Sequence, residues 1–310
     1  MNFSSLLSAL PGDVAQGIIW GIMALGVFIT FRILNFADLS VDGSFATGGA
    51  VTVVLMLSGM NAGTALFIAF IAGVLAGLTT GILHTVFGIP DILAGILTQI
   101  ALYSINLNIM SGKANTAISV DKFNLIISLR FVTRAIYISL VFALVIIAIM
   151  YWYFGTAMGS AIRATGSNPA MSKAQGININ AMKVIALSLS NGIVALSGGL
   201  LAQYQGFADV NMGRGAIVIG LAALIIGDVI CNALFSKKSS FFLTMLFVII
   251  GGILYYIIIG IVLWLKMPTN NLKLFTAIIV AIFLAVPNFK SAMSGNSFRK
   301  AAKRGGRTNA

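Results

Sequence analysis

The chain has 310 residues, of which 59% are hydrophobic and only 8% are charged, and its net charge is +12. Soluble domains carry about 25% charged residues. This composition therefore excludes a soluble protein and predicts an all-α, polytopic membrane protein. The basic residues lie between apolar runs and in the C-terminal tail, a pattern typical of membrane orientation rather than of nucleic-acid binding. The single cysteine, Cys231, excludes an internal disulfide.

Apolar runs close to the ~20 residues needed to cross a bilayer follow one another along the chain. We predict about nine transmembrane helices, within a range of eight to ten, with Gly12 and Pro268 among the breaks between them. The predicted spans are 14–31, 43–58, 64–87, 91–110, 135–154, 183–204, 214–235, 241–265 and 272–288.

The orientation follows from the basic residues. Residues 289–310 hold six lysines and arginines and predict a basic cytoplasmic tail. Counting spans back from this tail places the loop 155–182 inside the cell. The segments 111–134 and 205–213 and the N-terminus then lie outside.

Residues 14–38 and 185–209 align without a gap, with Val14 opposite Ile185. Eight of the 25 positions are identical, including Phe36-Ala37-Asp38 opposite Phe207-Ala208-Asp209. Chance similarity between apolar helices is the alternative, but the two triplets in register favour a duplication. With the orientation above, the duplicated halves have opposite directions in the membrane. Inverted repeats of this kind are typical of transporters, with the transport path at their interface.

These observations predict one transmembrane permease domain over residues 1–288, followed by the tail 289–310. Within the domain, the inverted repeats cover approximately 14–110 and 185–288. Span 135–154 connects them, and the loop 155–182 follows on the cytoplasmic side.

The loop 155–182 contains a predicted short helix. Pro169 suits the first turn, Ser167 or Asn168 suits the cap, and Gly176 suits the end. Ala170, Met171 and Ala174 would give this helix a small apolar face. Such a helix either docks in a groove of a partner or forms part of a linker on the membrane surface, and the residues alone do not decide between the two.

Three segments make the chain resemble a known family. The loop carries Arg163-Ala164-x-Gly166-x-Asn168-Pro169, followed by Gly176-Ile177. This pattern resembles the ATPase-coupling loop of ABC-importer permeases of the branched-chain amino acid and ribose type. Residues 34–45 and 212–222 resemble the regions that open the second span of each half in that family. The combination is most similar to the subgroup that includes proposed tryptophan and tyrosine importers.

The resemblance implies the permease subunit of an ATP-driven importer in a bacterial plasma (inner) membrane, moving a small solute such as an amino acid, possibly aromatic. It also implies a homodimer, a separate cytoplasmic ABC ATPase docked on the loop, and an extracytoplasmic solute-binding protein. The chain has no Gly-x-x-x-x-Gly-Lys-Ser/Thr phosphate-binding loop. We therefore expect no catalytic residue, cofactor or metal here, and ATP to be used by the partner subunit.

The transport path is predicted from polar residues near or within the spans, because polar groups in lipid are costly and often functional. Acids at span ends also cap helices or lie among lipid headgroups, and polar residues inside spans also bond a neighbouring helix. The candidates are Asp38, Asp42, Ser44, Gln99, Asn106, Asn191 and Asp209.

Two other classes of protein share part of this pattern. An ion-coupled secondary transporter or channel would also fit an inverted repeat, but it should carry ionisable residues deep within its spans. A membrane enzyme would need a clustered catalytic constellation, and the sequence has no such motif.

Overall fold

The computed structural model describes residues 3–120, 122–235 and 240–265, together with residues 274, 275, 277, 278 and 281. This part of the chain contains ten α-helices and one two-stranded sheet. The helices are α1 (Phe3–Val27), α2 (Val41–Leu57), α3 (Ala62–Thr85), α4 (Asp91–Ile109), α5 (Val132–Gly155), α6 (Ala157–Ser167), α7 (Pro169–Ala174), α8 (Ile179–Gln205), α9 (Ala216–Phe235) and α10 (Phe241–Trp264). The strands are β1 (Asn115–Ala117) and β2 (Phe207–Asp209).

Seven of the described helices are long and apolar enough to cross a membrane, and α2 is a shorter apolar helix. The prediction of an all-α polytopic membrane protein is confirmed. Eight of the predicted spans coincide with described helices. The ninth, 272–288, falls almost wholly outside the described residues, and the predicted tail 289–310 lies wholly outside them.

Two predicted boundaries are wrong. The first helix does not start after Gly12, because α1 begins at Phe3 and contains Pro11. A proline removes one backbone donor, and here the helix continues through it. At the other end, α1 runs on as a π-helix from Phe28 to Ile33.

The segment 157–167, predicted as part of a loop, is the helix α6. It is capped by the Thr156 hydroxyl, which accepts from the N–H of Gly159.

The core is built around α1 and α8, the most deeply buried of the helices long enough to span a membrane. The helix α3 packs along α8, and α10 packs along α1. Since α1 aligns with α8 in the predicted duplication, each half places its third helix against the first helix of the other half. The contacts of α3 with α8 and of α10 with α1 therefore join the two predicted halves.

Glycines allow the close approach of α3 and α8. A Cβ at Gly73 would lie 2.3 Å from the Asn191 carbonyl oxygen, and one at Gly77 would lie 2.2 Å from that of Leu187. The Gly73-x-x-x-Gly77-x-x-x-Gly81 pattern, with a small residue at every fourth position, therefore allows close packing against α8 of the same chain.

The connecting segments gather at two opposite ends of the molecule. Strand β1, from the segment 111–134, pairs antiparallel with β2, with Thr116 opposite Ala208. At the other end, α6 packs on the π-helical end of α1 and on the start of α8. The predicted orientation requires this separation, with β1 and β2 outside and α6 and α7 inside.

Candidate functional site

A buried polar network joins the loop before α2 to the middle of α8. The Asn191 amide donates to Asp38 Oδ2 at 2.7 Å, and the Ser40 backbone N–H donates to Asp38 Oδ1 at 2.9 Å. The Ser44 hydroxyl donates to Asn191 Oδ1 at 2.6 Å. All four side chains are at most 1% exposed. We call these residues the Asp38 network. The carboxylate has donors on both oxygens, so the burial of its charge is compensated.

The network brings together three of the sequence candidates, since Asn191 is about 150 residues from Asp38 and Ser44 along the chain. Ser40 is a fourth member that sequence reasoning missed. None of these residues lines the cavity described below. Their closeness and burial position the loop 34–40 against α8, and a direct contact of this group with solute stays a prediction.

Asp42 joins the first turn of α2 to the start of α9. Its Oδ2 accepts from the Gly215 N–H and its Oδ1 from the Ile217 N–H, both at 2.9 Å. These N–H groups lie at the N-terminal end of α9, which lacks intrahelical partners for its first donors. A carboxylate is stabilised there by the partial positive charge of the helix end. The N-terminal ends of α2 and α9 therefore meet at one carboxylate.

This meeting point lies deep in the molecule. At 1.5 Å per residue, Asp42 is about 22 Å from the end of α2 at Leu57. The first residue of α9 is about 18 Å along the helix from Asp228, which forms a 3.4 Å ion pair with Arg32 at the opposite end of the molecule. Asp42, at the end of an apolar run in the sequence, therefore lies well inside the length of the molecule.

A cavity of about 270 Å³ opens beside Asp42, between α2, α4 and the turn before α9. Gln99, Tyr103 and Asn106 present one face of α4 to it, and Arg214 lines it from the turn. The cavity thus brings together the sequence candidates Asp42, Gln99 and Asn106. Tyr103 and Arg214 were missed, although the spacing of positions 99, 103 and 106 on one helical face was a signal for the former.

The structure separates Asp209 from this cavity. It lies at the end of β2, where its Oδ1 accepts from the Asn211 N–H at 2.7 Å and its Oδ2 from the Asn115 amide at 3.4 Å. Although it aligns with Asp38 in the predicted duplication, it is partly exposed and holds a turn. The duplication therefore does not give the two aspartates equivalent surroundings.

The segment 155–182 forms a helical hairpin against the ends of the spanning helices. A Cβ at Gly166 would lie 1.9 Å from the Ile33 carbonyl oxygen, so α6 directly contacts the end of α1. The guanidinium of Arg163, also on α6, lies 5.9 Å from the ring centre of Phe241, at the start of α10. The helix α6 therefore touches α1 and α10, the two helices that pack along each other.

The second helix of the hairpin, α7, agrees with the prediction in detail. Asn168 accepts from the Met171 N–H at 3.1 Å, Pro169 is the first helical residue, and Gly176 has a φ of +81° just after the end. The side chains of Ala170, Met171 and Ala174 are exposed. The helix thus presents its small apolar groups away from the protein, and Ile177 starts the turn into α8.

Comparison with known proteins identifies the family. The sequence profile described as branched-chain amino acid transport system, permease component, matches residues 13–287. The chain belongs to this permease family. The assignment covers the described helices α2 to α10 and most of α1.

Individual relatives support the assignment to this permease family. A tyrosine transport system permease protein of Clostridioides difficile is 38% identical over 93% of this permease and 94% of its own length. An uncharacterised protein of Rickettsia prowazekii is 33% identical over 90% of this permease and 98% of its own length. An autoinducer 2 import system permease protein of Yersinia pseudotuberculosis is 27% identical over 67% of this permease and 58% of its own length. No solved structure matches.

The resemblance deduced from the coupling-loop pattern is therefore confirmed. The protein is a multi-pass membrane permease of the ABC-importer type and imports a small solute. The permease family is a transport component, not an enzyme, and it works with ABC-transporter partners such as an ATPase and a solute-binding protein.

Proposed function

We propose that this permease imports an amino acid, with L-tyrosine as the first candidate, as a homodimer in the bacterial plasma membrane. A separate ATPase subunit docks on α6 and α7 and hydrolyses ATP. A solute-binding protein delivers substrate at the opposite face, near β1 and β2, and the C-terminal tail faces the cytoplasm. The ion-coupled carrier is the alternative class.

The contact made by α6 carries the coupling part of this proposal. Gly166 fits against the carbonyl of Ile33, and Arg163 lies over Phe241. A displacement of α6 would therefore be transmitted to α1 and α10 by direct contact. The apolar side chains of α7 are exposed beside it, as a helix that docks in a partner's groove requires. ATP-driven movement of the docked partner would therefore be transmitted to the central helices.

The proposal of an amino acid rests on the 38% identical tyrosine permease and on the size of the cavity at Asp42. A volume of about 270 Å³ is close to the lower end of small-molecule sites, which start near 300 Å³. The deep position of Asp42 would also suit an ion-coupled carrier. However, both of its carboxylate oxygens already accept backbone hydrogen bonds of α9, and family membership favours the ABC importer.

The test combines copurification with uptake. The tagged permease is isolated in mild detergent from its native host, and the accompanying proteins are identified by mass spectrometry. Uptake of radiolabelled L-tyrosine and L-leucine is then measured after ATP depletion and, separately, with an uncoupler while ATP is held constant. We expect a stoichiometric ATPase, and uptake that stops on ATP depletion but continues with the uncoupler.

Two variants locate the coupling site. Arg163→Ala removes the contact with Phe241, and Gly166→Ala forces α6 away from Ile33, so both should lose the ATPase and uptake. Gly155→Ala is the matched control, because a Cβ there meets no atom within 4 Å. An ATPase that stays bound to a transport-competent Gly166→Ala variant would show that the docking site is elsewhere. An oligomer without any ATPase, whose uptake stops with the uncoupler, would establish the carrier instead.

A further inference from the structure

Asn106 is a polar side chain without a partner in the interior of the permease. Its side chain is 1% exposed, and neither its amide nitrogen nor its carbonyl oxygen has a hydrogen-bond partner among the described residues. Leaving a buried amide unpaired costs stability, and such groups in folded proteins call for an explanation. Asn106 lines the cavity beside Asp42, so a molecule bound there would supply the missing partners.

Arg214 is a cation held at the edge of the same cavity. The turn that carries it is fixed on both sides: a Cβ at Gly213 would lie 1.9 Å from the Asp42 carbonyl oxygen, and Gly215, with a φ of +87°, donates to the Asp42 carboxylate. The guanidinium itself is exposed and forms no hydrogen bond or ion pair within the described residues. The backbone of the turn is therefore held by two contacts with Asp42, and the charge is available for a ligand.

The Asp42 carboxylate forms no ion pair with this cation, and both of its oxygens accept hydrogen bonds from N–H groups at the start of α9. Each oxygen keeps a second lone pair that can accept another hydrogen bond. The cavity therefore offers a guanidinium for an anion and carboxylate and amide oxygens for a cation. Tyr103 and Ile100 add apolar surface on α4.

We propose that this cavity is a binding site for the zwitterionic end of the transported amino acid, in the permease itself. Arg214 binds the carboxylate, Asn106 supplies hydrogen bonds to the same end, and the Asp42 carboxylate faces the ammonium group. The proposal rests on the proposed function, and it adds that the permease recognises its solute directly rather than leaving selection to the binding protein alone.

The test measures the concentration dependence of uptake in the complete importer, with whichever of L-tyrosine and L-leucine the wild type imports. Arg214→Gln removes the cation and Asn106→Leu removes the buried amide. Loss of one charge-assisted hydrogen bond predicts a KM raised about tenfold or more for Arg214→Gln. Arg214→Lys keeps the charge, so its KM should lie between that of Arg214→Gln and that of the wild type.

Matched controls separate this role from general damage. Arg134→Gln removes an exposed cation from the first turn of α5, and Asn108→Leu replaces an exposed amide on the same helix as Asn106. Both should keep the wild-type KM within about twofold. Thermal unfolding of each purified complex adds a readout for Asn106→Leu, which should be at least as stable as the wild type, because it removes an unpaired buried amide.

A second readout tests the carboxylate contact directly. The decarboxylated amine of the imported amino acid, tyramine or isopentylamine, is used as a competitor of uptake. The wild type should prefer the amino acid by tenfold or more, and Arg214→Gln should lose most of this preference. If Arg214→Gln and Asn106→Leu keep both the KM and the preference of the controls, the cavity is not a solute site, even though the importer works. If the wild type imports no amino acid, the substrate class itself is wrong.

Discussion

Asp38 shows how a single carboxylate is accommodated in the interior of the permease. Its oxygens accept hydrogen bonds from Ser40 and Asn191, and water has almost no access to it. Breaking a buried polar pair by removing one partner is far more costly than its net contribution to stability, because the remaining group is left unsatisfied. The network therefore constrains substitution strongly.

Asn191→Leu should destabilise the permease by about 2–4 kcal/mol, because it leaves the Asp38 carboxylate without its partner on α8. The exchange of both residues, Asp38→Asn with Asn191→Asp, places a donor opposite an acceptor again and should recover part of the loss. Thermal unfolding in detergent measures both effects. Equal stability of the single variant and the wild type would show that the hydrogen bond contributes nothing.

The sequence singled out Asp38, Ser44 and Asn191 one by one, but not their contact. Asp38 and Asn191 are 153 residues apart, and periodicity carries no information about which side chains meet at such a separation. Asn106 and Gln99 were found because polar residues in apolar runs are visible. Arg214 was missed because a cation beside a predicted outside loop indicates orientation first.

At the scale of elements, α2 and α9 are the unusual helices, since both begin deep inside the molecule. Close contact with α8 holds α2 in place. A Cβ at Gly48 would lie 1.8 Å from the Ala195 carbonyl oxygen, and one at Gly198 would lie 1.9 Å from that of Phe45. Small residues in apolar helices predict close packing, but not the depth at which a helix begins.

Gly77→Ala should destabilise the permease by about 1–3 kcal/mol, since its Cβ would overlap the Leu187 carbonyl oxygen and push α3 away from α8. Gly63→Ala, on the same helix, is the matched control, because a Cβ there meets no atom within 4 Å. Unfolding temperatures of the two purified variants give the comparison. Similar temperatures would contradict the close contact of α3 with α8.

The helix α6 was missed although its pattern was readable. Gly159, Ile162 and Thr165 recur every third residue and form its buried face, and Thr156 is a favourable cap. The segment is short and only weakly hydrophobic, and its Gly and Ser content favoured a loop. Helix α7 was found because Asn168, Pro169 and Gly176 each mark a boundary independently.

At the scale of the whole molecule, the predicted halves exchange their third helices, so that neither half has a complete core of its own. The succession of the described apolar helices followed from composition and run length, because lipid requires about 20 apolar residues per span. Which helices are neighbours did not follow, since α3 against α8 and α10 against α1 depend on backbone fit between distant segments.

Labelling of single cysteines tests the orientation. Cys231 is the only cysteine and is buried, so Cys231→Ala gives a background without thiols. In intact cells, a maleimide that cannot cross the membrane should label Lys113→Cys and not Met171→Cys, and both should react after lysis. Both positions are exposed. Labelling of Met171→Cys in intact cells would invert the topology and place α6 and α7 outside.

The head-to-head start of α2 and α9 also bears on how the membrane stays sealed. Each helix N-terminal end contributes about half a positive charge, and Arg214 adds a whole one, against the single negative charge of Asp42. The sum of these charges is positive, and charges interact strongly where little water is present. We therefore expect sodium ions and protons to be repelled here, so that solute can cross without discharging the ion gradients on which the cell depends.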